Sequence, residues 1–152
     1  MKEISHLEHI NRDHQSEKAS NSYLMSMIAI MAGLPLPIFN LIATLIFYGA
    51  NRKAAFFVRW HCTQALFSQI ILLLFNAPAF IWFFSIIFRD SELSNNFVAY
   101  IIVVFIINLV EFIATIYTAI ETRKGRHIEW PIVGPLTNSV VKQPEKSENI
   151  IQ

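Results

Sequence analysis

The sequence predicts an all-α protein, an integral membrane bundle of three to four transmembrane helices. Three observations lead there. Hydrophobic residues make up 54% of the 152 and charged residues only 15%, where a soluble domain carries about a quarter charged. The charges crowd into residues 1–18, 51–59, 89–92 and the stretch after Ile120. Between them lie apolar runs long enough to cross a hydrocarbon core of about 30 Å.

Residues 1–21 read as a polar N-terminal tail, in which His6 and His9 are solvated surface groups because metal binding needs more ligands than this pair supplies. The apolar run that follows begins too far in, and is too long, for a cleaved signal peptide. A membrane domain over residues 22–136 is therefore expected. Its first span, about 23–48, would extend roughly 39 Å as a helix. Gly33-Leu34-Pro35-Leu36-Pro37 lies in its middle, and the loss of backbone donors at Pro35 and Pro37 predicts a kink or short break.

The second span, about 56–88, is expected to be one helix kinked at Pro78, since a turn there would leave only about 15 Å of helix, half a crossing. The third covers about 97–120. Arg123 and Lys124 suit the negative end of its dipole, and Gly125 is placed to follow its cap. Residues 128–136, aromatic and bounded by prolines, suit the membrane interface. Residues 137–152 read as a disordered tail.

Basic residues without acids, Arg52, Lys53 and Arg59, mark the first loop as cytoplasmic, and Arg123, Lys124 and Arg126 mark the C-terminal flank likewise. Three simple crossings would put the N-terminus outside. A re-entrant first segment would put both ends inside.

Polar side chains within lipid turn toward partner helices. Asn108, Glu111, Thr115 and Thr118 form one stripe on the third span; His61, Gln64 and Ser68 form another on the second, continued loosely by Asn76; Asn40 and Thr44 sit on the first. Counted inward, Asn40, Ser68 and Glu111 lie roughly 12–14 Å deep at helical rise, and Thr44, Gln64 and Thr115 lie one turn nearer the surface. A polar seam is expected, with Glu111 its costliest member at about 2.5–3.5 kcal/mol if charged in lipid. Arg59 would snorkel to the interface, and Trp60 and Trp130 would anchor there.

Several chemistries are excluded. A net charge of +1 and basic residues beside apolar segments give no case for nucleic acid. The single cysteine, Cys62, excludes a disulfide framework and a multi-cysteine zinc site. Glycine-rich phosphate loops, a nucleophile elbow and a His-Glu-x-x-His motif are all absent. Haem held by His61, with His127 from a neighbouring segment, lacks a second buried histidine on the spans; no cofactor is expected.

Phe57-Val58-Arg59-Trp60-His61-Cys62-Thr63-Gln64-Ala65-Leu66 resembles a signature of small bacterial helical membrane proteins related to the Tic-twenty-type chloroplast import component. Gly125-Arg126-His127-Ile128-Glu129-Trp130-Pro131 is similar to that group's ending after the last helix. The resemblance implies a subunit of a larger assembly of the protein-translocation type. The expected function is a non-enzymatic accessory or scaffold subunit of the bacterial inner membrane, in contact with lipid and with other membrane subunits or itself. The competing expectation is a small homo-oligomeric channel or transporter built around Glu111.

Overall fold

The computed structural model describes residues 2–27, 37–89 and 92–142. Among these the chain forms five helices and no strand: α1 (Lys2–Met25), α2 (Pro37–Asn51), α3 (Phe56–Arg89), α4 (Asn95–Arg123) and α5 (Val133–Val140).

The polar N-terminal segment, expected as a tail, is a 24-residue helix. It contains neither glycine nor proline, and same-face pairs brace its exposed part: His9 with Asp13 at 2.9 Å and Asn11 with Gln15 at 3.1 Å. Its last turns bury Ser16, Ala19, Ser20, Ser22 and Tyr23. Such small residues let α1 approach α3 and α4 closely, as at helix interfaces in membranes. The Ser20 hydroxyl donates to the Ala119 carbonyl at 2.7 Å, and Arg123 approaches Glu17 at 3.9 Å. Chain numbers thus rise along α1 as they fall along α4. The two are antiparallel, and Glu17 of α1 is level with the end of α4.

Residues 23–48 do not form one helix. α1 ends at Met25, a turn follows, and α2 opens at Pro37, where a missing N–H costs nothing; Pro35 lies outside the described residues. The 15 residues of α2 reach roughly 22 Å, short of the hydrocarbon thickness. One face, with Ile38, Ile42, Leu45 and Ile46, is exposed, while Asn40 and Thr44 are buried. Phe47 and Tyr48 pack on Val58 and Cys62 of α3.

α3 runs unbroken for 34 residues through Pro78. Beside the proline, the Asn76 amide donates to the Leu72 carbonyl at 2.8 Å and the Tyr100 hydroxyl to the Phe75 carbonyl at 2.9 Å. α4 starts at an N-cap, Ser94, whose hydroxyl accepts from the Phe97 N–H at 3.3 Å. It ends as expected at Gly125, whose φ of +79° is cheap only for glycine. There the Gly125 N–H bonds the Thr122 carbonyl at 2.9 Å and the Arg126 N–H the Glu121 carbonyl at 3.1 Å, closing the helix. Lys124 and Arg126 clasp the buried Glu121 carboxylate at 2.7 and 2.6 Å.

The expected disordered tail begins too early. Residues 137–140 belong to α5, which packs on α3, and Thr137 is fully buried; residues 143–152 lie outside the described residues. Gly134 of α5 sits against Glu129, and a Cβ there would collide with the Glu129 side chain.

α3 and α4 are long and apolar enough to cross a membrane, and only 17% and 11% of their most apolar windows are buried. A soluble core helix would be covered. Here Phe84, Phe88, Ile102 and Phe105 are exposed, an apolar surface suited to lipid. The chain is a helical membrane protein.

Candidate functional site

Three polar clusters follow one another along the α3–α4 interface. The first lies where α1, α3 and the segment after α4 converge. The Gln64 side-chain amide donates to the Tyr23 hydroxyl at 2.8 Å and to the Ile128 carbonyl at 3.0 Å, and its oxygen accepts from the Trp130 N–H at 3.1 Å. Its two protons and its oxygen all find partners, so it grips residues 128–130 much as a neighbouring strand would.

The Tyr23 hydroxyl, having accepted from Gln64, lies 2.8 Å from His61 Nδ1. Tyr23 is fully buried, so its proton needs an acceptor and Nδ1 is the one in reach. That assignment leaves the proton of His61 on Nε2, which faces His127 Nδ1 at 3.3 Å. One directed relay results, Gln64 to Tyr23 to His61 to His127, and it requires both imidazoles neutral. His127 also packs on the Trp60 ring, with centroids 4.2 Å apart. Burial there holds its pKa below the ordinary 6.5, against the raising influence of Glu129.

Both tryptophans expected as interface anchors are engaged inside the fold. Trp60 is fully buried and donates its indole N–H to Asn138 at 2.7 Å; Asn138 in turn donates to Glu129 at 2.7 Å. Trp130 is half-buried and donates its indole N–H to Thr118 at 2.7 Å. An indole with an internal acceptor has no need of the headgroup region.

The second cluster surrounds Glu111. Its Oε1 accepts from Gln69 at 2.9 Å and Thr115 at 3.0 Å, with Ser68 Oγ 3.4 Å away. The third joins Asn76 and Asn108 by reciprocal bonds of 3.2 and 2.9 Å, and each amide also donates to the carbonyl four residues earlier. This ring of two amides, with the Tyr100–Phe75 bond, links the halves of α3 and α4 toward the 89–95 connection.

The structure therefore brings His61, Gln64, Ser68, Glu111, Thr115 and Thr118 together, and pairs Asn108 separately. Thr44 donates to the Asn40 carbonyl of its own helix at 2.8 Å, and both are buried. Arg59 is half-buried and makes no ion pair among the described residues. Tyr23, Gln69, His127 and Asn138 complete the site and were not expected in it. Gln69 could have been found by the rule that singled out Glu111, that a polar group within an apolar span must meet a partner. Contact of His127 with His61 joins segments 66 residues apart and has no local signal.

Residues 19–137 match the MamF/MmsF family, described as the magnetosome magnetite crystal formation protein family. No curated protein and no solved structure matches the chain. The match covers over three quarters of the sequence, and the chain belongs to that family. This overturns the resemblance to Tic-twenty-type proteins, and the translocation assembly that the resemblance implied loses its support. Both motifs behind the resemblance lie within the matched region, and their His61, Gln64 and Trp130 meet as packing partners. Aromatic, amide and imidazole groups at such spacings serve many helical contacts, so a short run of them does not single out a family.

Proposed function

We propose that this member of the MamF/MmsF family is a non-enzymatic accessory subunit of the magnetosome membrane, supporting magnetite crystal formation through its place in that membrane. The family match carries the proposal. The architecture supports it: two apolar helices exposed toward lipid and, between them, polar groups spent mainly on one another rather than on an open site. No three His, Cys, Asp or Glu side chains converge among the described residues, and the proposal places no resident metal centre there.

In the proposed topology α3 and α4 cross the bilayer, while α1 and α2 enter from one side and return. Residues 128–140 lie at that same face. The basic residues of the 52–59 region and of 123–126 make this face cytoplasmic. The channel reading draws no support from Glu111, because Gln69, Thr115 and Ser68 of the same chain already meet its Oε1.

Removal of the chain from a magnetite-forming cell tests the proposal. Magnetite crystals of altered size or shape are expected in the electron microscope, in vesicles that still form. Unchanged crystals in cells shown to lack the protein would sink it, and so would recovery of the chain away from the vesicle membrane.

A further inference from the structure

A trough of about 540 Å³ opens on the lipid-facing side between α3, α4 and residues 128–133. Its walls are apolar, among them Ile71, Leu72, Ile107, Val110, Ala114 and Ile132. No lysine, arginine or histidine lines it. Its polar side chains are Ser68, Glu111, Tyr117, Thr118, Glu129 and Trp130, and the protons of Ser68, Thr118 and Trp130 are already committed. Ser68 donates to the Ala65 carbonyl at 2.8 Å, Thr118 to the Ala114 carbonyl at 2.7 Å, and the Trp130 indole to Thr118 at 2.7 Å. Glu111 Oε1 accepts from Gln69 and Thr115, with Ser68 Oγ 3.4 Å away, while its Oε2 has no partner among the described residues. The trough is thus an apolar slot with one open acceptor, Glu111 Oε2, which a donor or a cation would meet.

We propose that this trough seats a transmembrane helix of another protein carrying one lysine or arginine at the depth of Glu111. The inference rests on the accessory-subunit reading and names the chemistry of the partner. Depth selects a helix over a lipid headgroup. Glu111 lies nine residues before Ile120, where the apolar span ends, roughly 13 Å along α4, whereas the ammonium of a zwitterionic lipid stays at the interface and would reach Glu129 at most. Charge selects a different chain over a second copy. Residues 60–88 and 95–120 contain no lysine or arginine, so a second copy docked by its own spans would bring no cation to Glu111. Ionisable groups inside membranes pair with one another or face a cavity, and an apolar helix face laid in a groove is a common mode of recognition.

The test co-reconstitutes the full chain, labelled on an N-terminal extension, in phosphatidylcholine vesicles with labelled Leu/Ala peptides about 22 residues long. One peptide carries lysine at the matching depth, a second carries leucine there, and a third carries the lysine six residues toward the opposite face. Energy transfer should report about tenfold tighter association of the first peptide than of the other two. Glu111→Gln, which keeps an acceptor for Gln69 and Thr115, should reduce it to the level of the leucine peptide. Ala114→Phe, which fills the trough without touching the carboxyl, should abolish it; unchanged helical content and thermal unfolding show that both variants fold. Equal association of the three peptides would overturn the proposal, as would lysine binding indifferent to Glu111→Gln. Displacement of the peptide by phosphatidylethanolamine would instead assign the trough to a lipid amine and also overturn it. Failure here with an altered crystal phenotype on removal of the chain removes this partner only; failure of both removes the accessory function.

Discussion

At the scale of single residues, Gln64 is where most of the fold converges, because one amide holds α1 through Tyr23 and the post-α4 segment through Ile128 and Trp130. Glutamate keeps its size but donates nothing when ionised, leaving the Ile128 carbonyl without a donor and setting a carboxylate beside a hydroxyl. Gln64→Glu should destabilise the protein by about 1–3 kcal/mol, read as a lower thermal midpoint in detergent by tryptophan fluorescence. An unchanged midpoint would mean that the amide is dispensable. His127 gives a pH dependence whose sign follows from linkage. Its pKa is depressed in the fold by burial, so the unfolded chain binds a proton first as pH falls below about 6.5. Stability is then full above that value and declines as pH drops toward the folded pKa. Protonated His127 would also aim an N–H at the Nε2–H of His61. His127→Asn should make the decline below pH 6.5 shallower, and an unaltered slope in the melting curves would exclude this role.

At the scale of elements, the sequence made α3 and α4 legible and hid α1. Length and apolarity suffice for a span, since the membrane imposes both. α1 has neither, and it is helical because its buried stripe of small residues docks on two neighbours, information carried by the partners and not by local periodicity. α2 shows the reverse error: the apolar run from Tyr23 to Tyr48 is continuous in sequence, yet its two ends belong to different helices. The distal halves of α3 and α4 depend on the Asn76–Asn108 ring. Asn76→Leu and Asn108→Leu should each destabilise by about 1–2 kcal/mol, and the double variant by less than their sum, with a coupling of about 0.6–2 kcal/mol. Strict additivity would show that the two amides do not hold each other.

For the molecule as a whole, the antiparallel docking of α1 on α4 fixes which ends share a side. Residues 9–16 of α1, the start of α3 and Gly125 lie together, and Leu93 lies at the far end of the hairpin. In a Cys62→Ser background, Ile10→Cys and Arg126→Cys should react with a membrane-impermeant maleimide from one side of an oriented vesicle, and Leu93→Cys only from the other. Opposite labelling of positions 10 and 126 would restore three simple crossings and break the fold described here. By itself the sequence determined that the chain is helical, that it lives in a membrane, where its two long apolar helices run, and that Ser68 and Glu111 lie at one level, because bilayer thickness and the cost of an unpaired polar group act on every residue locally. Only the tertiary structure decided that the N-terminal segment is a helix, that both described ends lie on one side, and that His61 and Gln64 bind a segment more than sixty residues away. Those outcomes depend on which surfaces meet, and hydrogen bonds between distant segments leave no periodicity in either one.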